Sequence, residues 1–153
     1  MKKFTLAALT FLLLFLSNDA FGCGCPSGSN PTPESIRIER QKDFDDATAV
    51  FSGEVIKSDV FKAEFKIDKI WKGDFDEKIT TLTVTKDNGD GIYTTSGCDY
   101  QVKLGEKYLI YAYGKTDELK TRSCSRSRLL VNAIEKIEGL EKIVPHKDMN
   151  KLP

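Results

Sequence analysis

One histidine, one tryptophan, two methionines and no excess of either charge sign leave this 153-residue chain short of the usual raw material of active sites and nucleic-acid grooves. A single His, His146, excludes multi-histidine metal centres, and its place beyond Pro145 reads as an exposed tail position. No G-x-S-x-G surrounds any serine, no glycine loop is arranged to cradle phosphate, and no carboxylate pair stands out for acid–base work. Lys+Arg and Asp+Glu are balanced at 23 each, with a pI of about 6.6. Nucleic-acid binders carry a basic stripe instead, so this balance removes the electrostatic case for that partner. The 40% hydrophobic content argues against disorder, and the length suits one domain. There are no internal repeats. The reading is of a binder, not an enzyme, with no cofactor and no metal of its own.

Long apolar runs are also missing, with one exception at the start. Lys2 and Lys3 precede residues 4–16, which carry no charge. That run is too short for a membrane span of about 20 residues and suits the apolar region of a signal peptide. Ser17, Asn18 and Asp19 break it, and Ala20 and Gly22 place small residues at −3 and −1 of a cut before Cys23. Residues 1–22 are therefore expected to be a signal peptide, residues 23–145 the domain and residues 146–153 a loose tail. The product would be secreted, extracellular or periplasmic. The competing reading lipidates Cys23 and tethers the chain to a membrane; the bulky Phe21, and Ala20 in place of Leu, fit it poorly.

All four cysteines, Cys23, Cys25, Cys98 and Cys124, lie beyond that cut. Export makes disulfides the default. A Cys23–Cys25 bridge would force poor Cα geometry across one intervening residue, which leaves two pairings open. A four-cysteine zinc site would want C-x₂₋₄-C pairs, and the only close pair here has a single residue between. Either disulfide pairing ties the start of the domain to distant positions, although chain ends ordinarily fray.

Pro26, Pro31 and Pro33 mark a turn-rich linker. Residues 34–46 are charged throughout, with Ile36, Ile38 and Phe44 as apolar members; Thr32 can cap and Pro33 can enter the first turn of a short surface helix. From Ala49 the period becomes two. Phe51, Gly53 and Val55 alternate with polar neighbours, and Phe61, Ala63, Phe65, Ile67 and Trp71 are read as one strand face. Lys57, Ser58 and Asp59 separate the two segments, as in an antiparallel hairpin. Residues 79–85 form a third strand. The run of residues 87–91 tempts a calcium reading, but its ligand spacing does not suit an EF-hand, and a turn is the better reading. Residues 108–113 (YLIYAY) are apolar on both faces, as in a central strand. Leu130, Ala133, Ile134, Ile137, Leu140 and Ile143 recur at helical spacing over residues 129–143. The sum is a mainly β, five-stranded OB-like barrel with a short helix near the N-terminus and an amphipathic helix at the C-terminal end. Such a barrel can bind nucleic acid or sugar, but the fold alone does not choose a ligand.

A domain beginning Cys23-Gly24-Cys25-Pro26 resembles the tissue inhibitors of metalloproteinases, within the netrin-like group of OB-fold domains. Residues 44–55 (FDDATAVFSGEV), Trp71-Lys72-Gly73, Cys98 followed by residues 104–110 (LGEKYLI), and Cys124 ahead of Leu129-Leu130 carry the likeness in the family's order. The resemblance implies the pairs Cys23–Cys98 and Cys25–Cys124. It implies an inhibitory wedge of Cys23, Gly24, Cys25 and Pro26, with Thr94, Thr95, Ser96, Gly97 and Cys98 as a second ridge. It also implies a function: a secreted, monomeric inhibitor whose free Cys23 amine and carbonyl chelate the catalytic zinc of a target metalloproteinase.

The sequence departs from that pattern in instructive ways. Gly24 stands where the family presents a side chain to the protease's main specificity pocket, and an unfilled pocket forfeits roughly 1–3 kcal/mol of burial. Pro26 arrives one residue early, Asp45 replaces a family cysteine, and the cysteine-rich C-terminal domain of the animal inhibitors has no counterpart. The implied protein is a minimal inhibitory domain. The alternative is a netrin-like binding module without inhibition, or a cell-envelope lipoprotein lipidated at Cys23.

Overall fold

A two-residue period, kept up over most of the middle of the chain, builds the sheet. The structure is a computed structural model of the chain and describes residues 25, 31–83, 86–87, 93–94, 99–143 and 147–148. Strands β1 (Ala49–Ser58) and β2 (Lys62–Lys72) form the expected antiparallel hairpin. Asp59 makes the turn: its carboxylate accepts from the backbone N–H of Phe61 at 2.7 Å and of Lys62 at 2.8 Å. Those two donors hold its carboxyl below the usual range. Strand β3 (Lys78–Leu82) pairs antiparallel with β2. Two-residue strands β4 (Lys86–Asp87) and β5 (Tyr93–Thr94) form a separate ladder.

Strand β6 (Lys107–Lys115) returns beside β1, and β7 (Glu118–Lys120) folds back on β6. β7 then pairs parallel with β3 through Thr81–Leu119 and Leu82–Lys120. That contact closes the ring β1–β2–β3–β7–β6–β1, and a closed ring leaves no bare edge. The fold is a mainly β, five-stranded OB-like barrel with, among the described residues, two α-helices. Gly53 lies where β1 is clasped between β2 and β6; a Cβ there would meet the carbonyl oxygen of Lys66 at 2.6 Å.

β6 shows why YLIYAY is apolar on both faces. Tyr108, Ile110 and Ala112 point into the barrel with Phe51, Val55, Phe65, Ile67, Ile79 and Leu119. Phe51 and Phe65 meet edge to face at 5.5 Å between ring centroids. Leu109 and Tyr111 face outward, into a second cluster with Phe44, Val50, Trp71, Ala133 and Leu140. Trp71 thus departs from the single strand face read in the sequence. Opposite β1 the register jumps between Ser52–Lys69 and Gly53–Ile67, so Asp68 is an extra residue in β2. A bulge reverses the alternation beyond it. Ile70 takes the inward place and Trp71 packs outside, under the helices.

Helix α1 (Pro33–Asp46) begins as its sequence suggests: Thr32 Oγ1 accepts from Ser35 N at 3.1 Å, and Pro33 occupies the first turn. Phe44 is its buried residue. At the far end Lys72 Nζ donates to the carbonyls of Phe44 and Asp45, at 2.8 and 2.7 Å, giving the last turn a cation that the helix itself lacks.

The C-terminal helix α2 (Ile134–Ile143) starts later than its apolar spacing suggested. Arg128 and Leu129 form strand β8, paired to Tyr108 and Leu109 of β6, and Leu130–Asn132 make a 3₁₀ turn. The main chain of β6 needs partners there, and that requirement overrides helical periodicity. Leu130 and Ala133 still pack in the outer cluster. In the segment expected to be a loose tail, Lys147–Asp148 (β9) lies antiparallel to β2 at Ile70 and Lys69, so this part of it is anchored. Among the described residues no helix is long and apolar enough to cross a membrane. Residues 1–22 lie outside the described residues, as do His146 and residues 88–91 of the turn beginning at Asp87.

Candidate functional site: the anchored amino-terminal arm

Cys25 is joined to Cys124 by a disulfide with Cα atoms 5.2 Å apart, across a sequence separation of 99. The bridge lands on residues 121–127, a polar stretch that would be a free loop if nothing held it. Local hydrogen bonds shape it first. Ser125 N donates to the Arg122 carbonyl at 3.0 Å, and Ser127 N to Ser125 Oγ at 3.2 Å. Ser127 is buried, and its hydroxyl accepts from Tyr111 N at 2.8 Å and donates to Tyr111 O at 3.3 Å. A side chain here does the work of a neighbouring strand, satisfying β6 where β8 stops.

Two cations pin the loop from outside. Arg126 Nε donates to Asp43 of α1, and its Nη2 lies 3.8 Å from Glu39. The Arg122 guanidinium stacks over the Tyr113 ring at 4.6 Å to the centroid. Cys25 is itself exposed, and so is Cys124. The disulfide is thus a surface link onto a loop already tied to β6 and to α1. Cys25 is thereby fixed to a loop that is itself held on two sides.

A cavity of about 460 Å³ runs beside the bridge, lined by Cys25, Cys124, Asp43, Arg126, Arg128 and Lys136 among others. Burial pushes the Lys136 amine down to about 8, with repulsion from Arg128, Arg126 and Arg40 adding to it and Asp43 opposing. The tyrosines shift the other way: burial pushes Tyr111 up to about 12 and also raises Tyr108 and Tyr113. They keep their protons at neutral pH and serve as packing and hydrogen-bonding groups. A larger cleft of about 920 Å³ separates α1 from α2, with Ile36, Arg40, Phe44, Glu138 and Ile143 on its walls.

Of the residues singled out in the sequence, Cys25 and Cys124 are brought together. Thr94 lies in the β4–β5 ladder opposite Lys86. Cys23, Gly24, Pro26, Thr95, Ser96, Gly97 and Cys98 lie outside the described residues, and the Cys23–Cys98 pair with them. Among the described residues no group of three His, Cys, Asp or Glu side chains is placed to hold a metal ion. Sequence reasoning missed the supports of the bridge, Asp43, Arg126 and Ser127, and the cavity residue Lys136. The alternation of Ser and Arg around Cys124 was the available signal, since polar residues that flank a bridge in a loop need partners of their own. No protein-family model matches the chain, and no curated protein matches its sequence.

Proposed function

We propose that the protein is an exported, stoichiometric inhibitor of zinc metalloproteinases that acts through its amino-terminal arm. The observation that carries this reading is the Cys25–Cys124 bridge onto a loop locked by Arg126 and Ser127. It holds a point two residues from Cys23, the residue whose amine and carbonyl would do the inhibiting. An α-amine has a pKa near 8, so it loses its proton at little cost and can bind a metal. Amine and carbonyl together would chelate the target's catalytic zinc and displace the water that zinc activates. The zinc belongs to the target; this chain supplies two donors and the stiffness behind them. Gly24 would face the specificity pocket without a side chain, which favours breadth over tightness. The protein acts as a monomer and catalyses nothing in this scheme.

The test begins with the intact mass of the exported protein and continues with inhibition of a zinc metalloproteinase. A chain starting at an unlipidated Cys23 should inhibit one-to-one. One Ala inserted before Cys23 should weaken inhibition at least hundredfold and leave the unfolding midpoint unchanged. Full potency in that variant, or a lipid on Cys23, overturns the reading; the lipid would leave a tethered binding module in its place.

A further inference from the structure

The cavity beside the Cys25–Cys124 bridge holds more positive charge than the fold uses. Arg126 is engaged by Asp43 and Glu39, and Lys42, also on the wall, pairs with Asp46. Arg128 on β8 and Lys136 on the first turn of α2 line the same cavity, and Arg40 of α1 is close enough to add to the field at Lys136. Among the described residues no acceptor reaches Nε of Arg128 or Nε of Arg40, although both atoms are buried. Buried donors without acceptors are uncommon, and those of a guanidinium are costly to leave unmade. Burial first, and then repulsion from Arg128, Arg126 and Arg40, lowers the pKa of Lys136, so these cations share one electrostatic environment.

We propose that Arg128 and Lys136, with Arg126 and Arg40 behind them, form a binding site for an oxyanion of the phosphate or sulfate class. A guanidinium can offer paired donors to two oxygens, and the Lys136 ammonium, which lines the same cavity, can supply a third contact. A cavity of about 460 Å³, open to solvent, has room for such a group. The charged groups facing Lys136 are Arg40, Asp43, Glu39 and Lys42 from α1, with Arg126 and Arg128 from the loop and β8. The site is independent of the Cys23 amine and stands whether or not the protein inhibits a protease.

The experiment follows thermal unfolding and lysine side-chain NMR of the exported protein in sodium sulfate or inorganic phosphate, against sodium chloride of equal ionic strength. Sulfate and phosphate should raise the midpoint saturably beyond chloride. They should also move the Lys136 pKa upward, because the bound anion favours the charged amine. By linkage, sulfate affinity should fall as pH rises above about 8 and should be flat with pH in Lys136→Gln. Arg128→Gln and Lys136→Gln should each weaken binding at least tenfold, and NMR spectra of both variants report whether they remain folded. Phosphoserine binding tighter than inorganic phosphate would place the anion on a larger molecule; equal binding would identify the free ion. A midpoint shift no larger than that of chloride, or unchanged phosphate binding in folded Lys136→Gln, overturns the site.

Discussion

The two apolar clusters on either side of β1 and β6 are built on different terms. Inside the barrel, Phe51, Phe65, Ile110 and Leu119 are sealed by main-chain ladders, and strand alternation alone places them. Outside, Phe44, Trp71, Leu109 and Tyr111 lie under two helices. Of these, α1 is held by side-chain bonds from Lys72 and Arg126, while the Cys25–Cys124 disulfide ties the chain ahead of α1 to the same loop as Arg126. The inner cluster makes the domain fold. The outer one fastens α1 and the loop that holds Cys25, so these depend on a handful of specific contacts while the barrel does not.

Substitutions can break that contrast in order of size. Phe65→Ala should cost about 3–5 kcal/mol in chemical denaturation and open both layers together, because it leaves a cavity in the inner cluster against which the β1–β6 wall rests. Replacing both Cys25 and Cys124 by Ser should cost about 2–4 kcal/mol. Hydrogen exchange should then quicken in α1 and residues 121–127 while the β1–β6 amides stay protected; uniform quickening would refute the two-layer picture. Arg126→Gln should do the same more gently. Its partners are partly exposed, so about 1–2 kcal/mol is expected from the lost charge-assisted bonds. Thr32→Ala should fray only the start of α1, at about 1 kcal/mol.

The same contrast explains what could be read before any coordinates. Strand alternation located β1 and β2, the continuous apolar run of residues 108–113 located β6, and the Thr32–Pro33 signal located α1; all three signals are local. Trp71 was placed on the wrong face because a bulge is decided by the facing strand: Asp68 carries no mark of being the extra residue. The start of α2 was set too early because the needs of β6 outrank the helical spacing of Leu130 and Ala133. Around the candidate site the limit is sharper. Four cysteines announce bridges, but the Arg126–Asp43 contact joins residues 83 positions apart, and nothing near either residue names its partner.

The Cys25–Cys124 bridge has one further consequence, for a molecule proposed to meet proteases. Every strand from β1 to β7 lies within the span of 99 residues that it closes. A single cut anywhere in that span, at the exposed β1–β2 turn for instance, leaves one covalent molecule. Its two pieces stay joined at the bridge and laced through the barrel ladders, and would part on a gel only after reduction. The domain resembles a belt fastened near its ends: nicked once, it still encircles what it held.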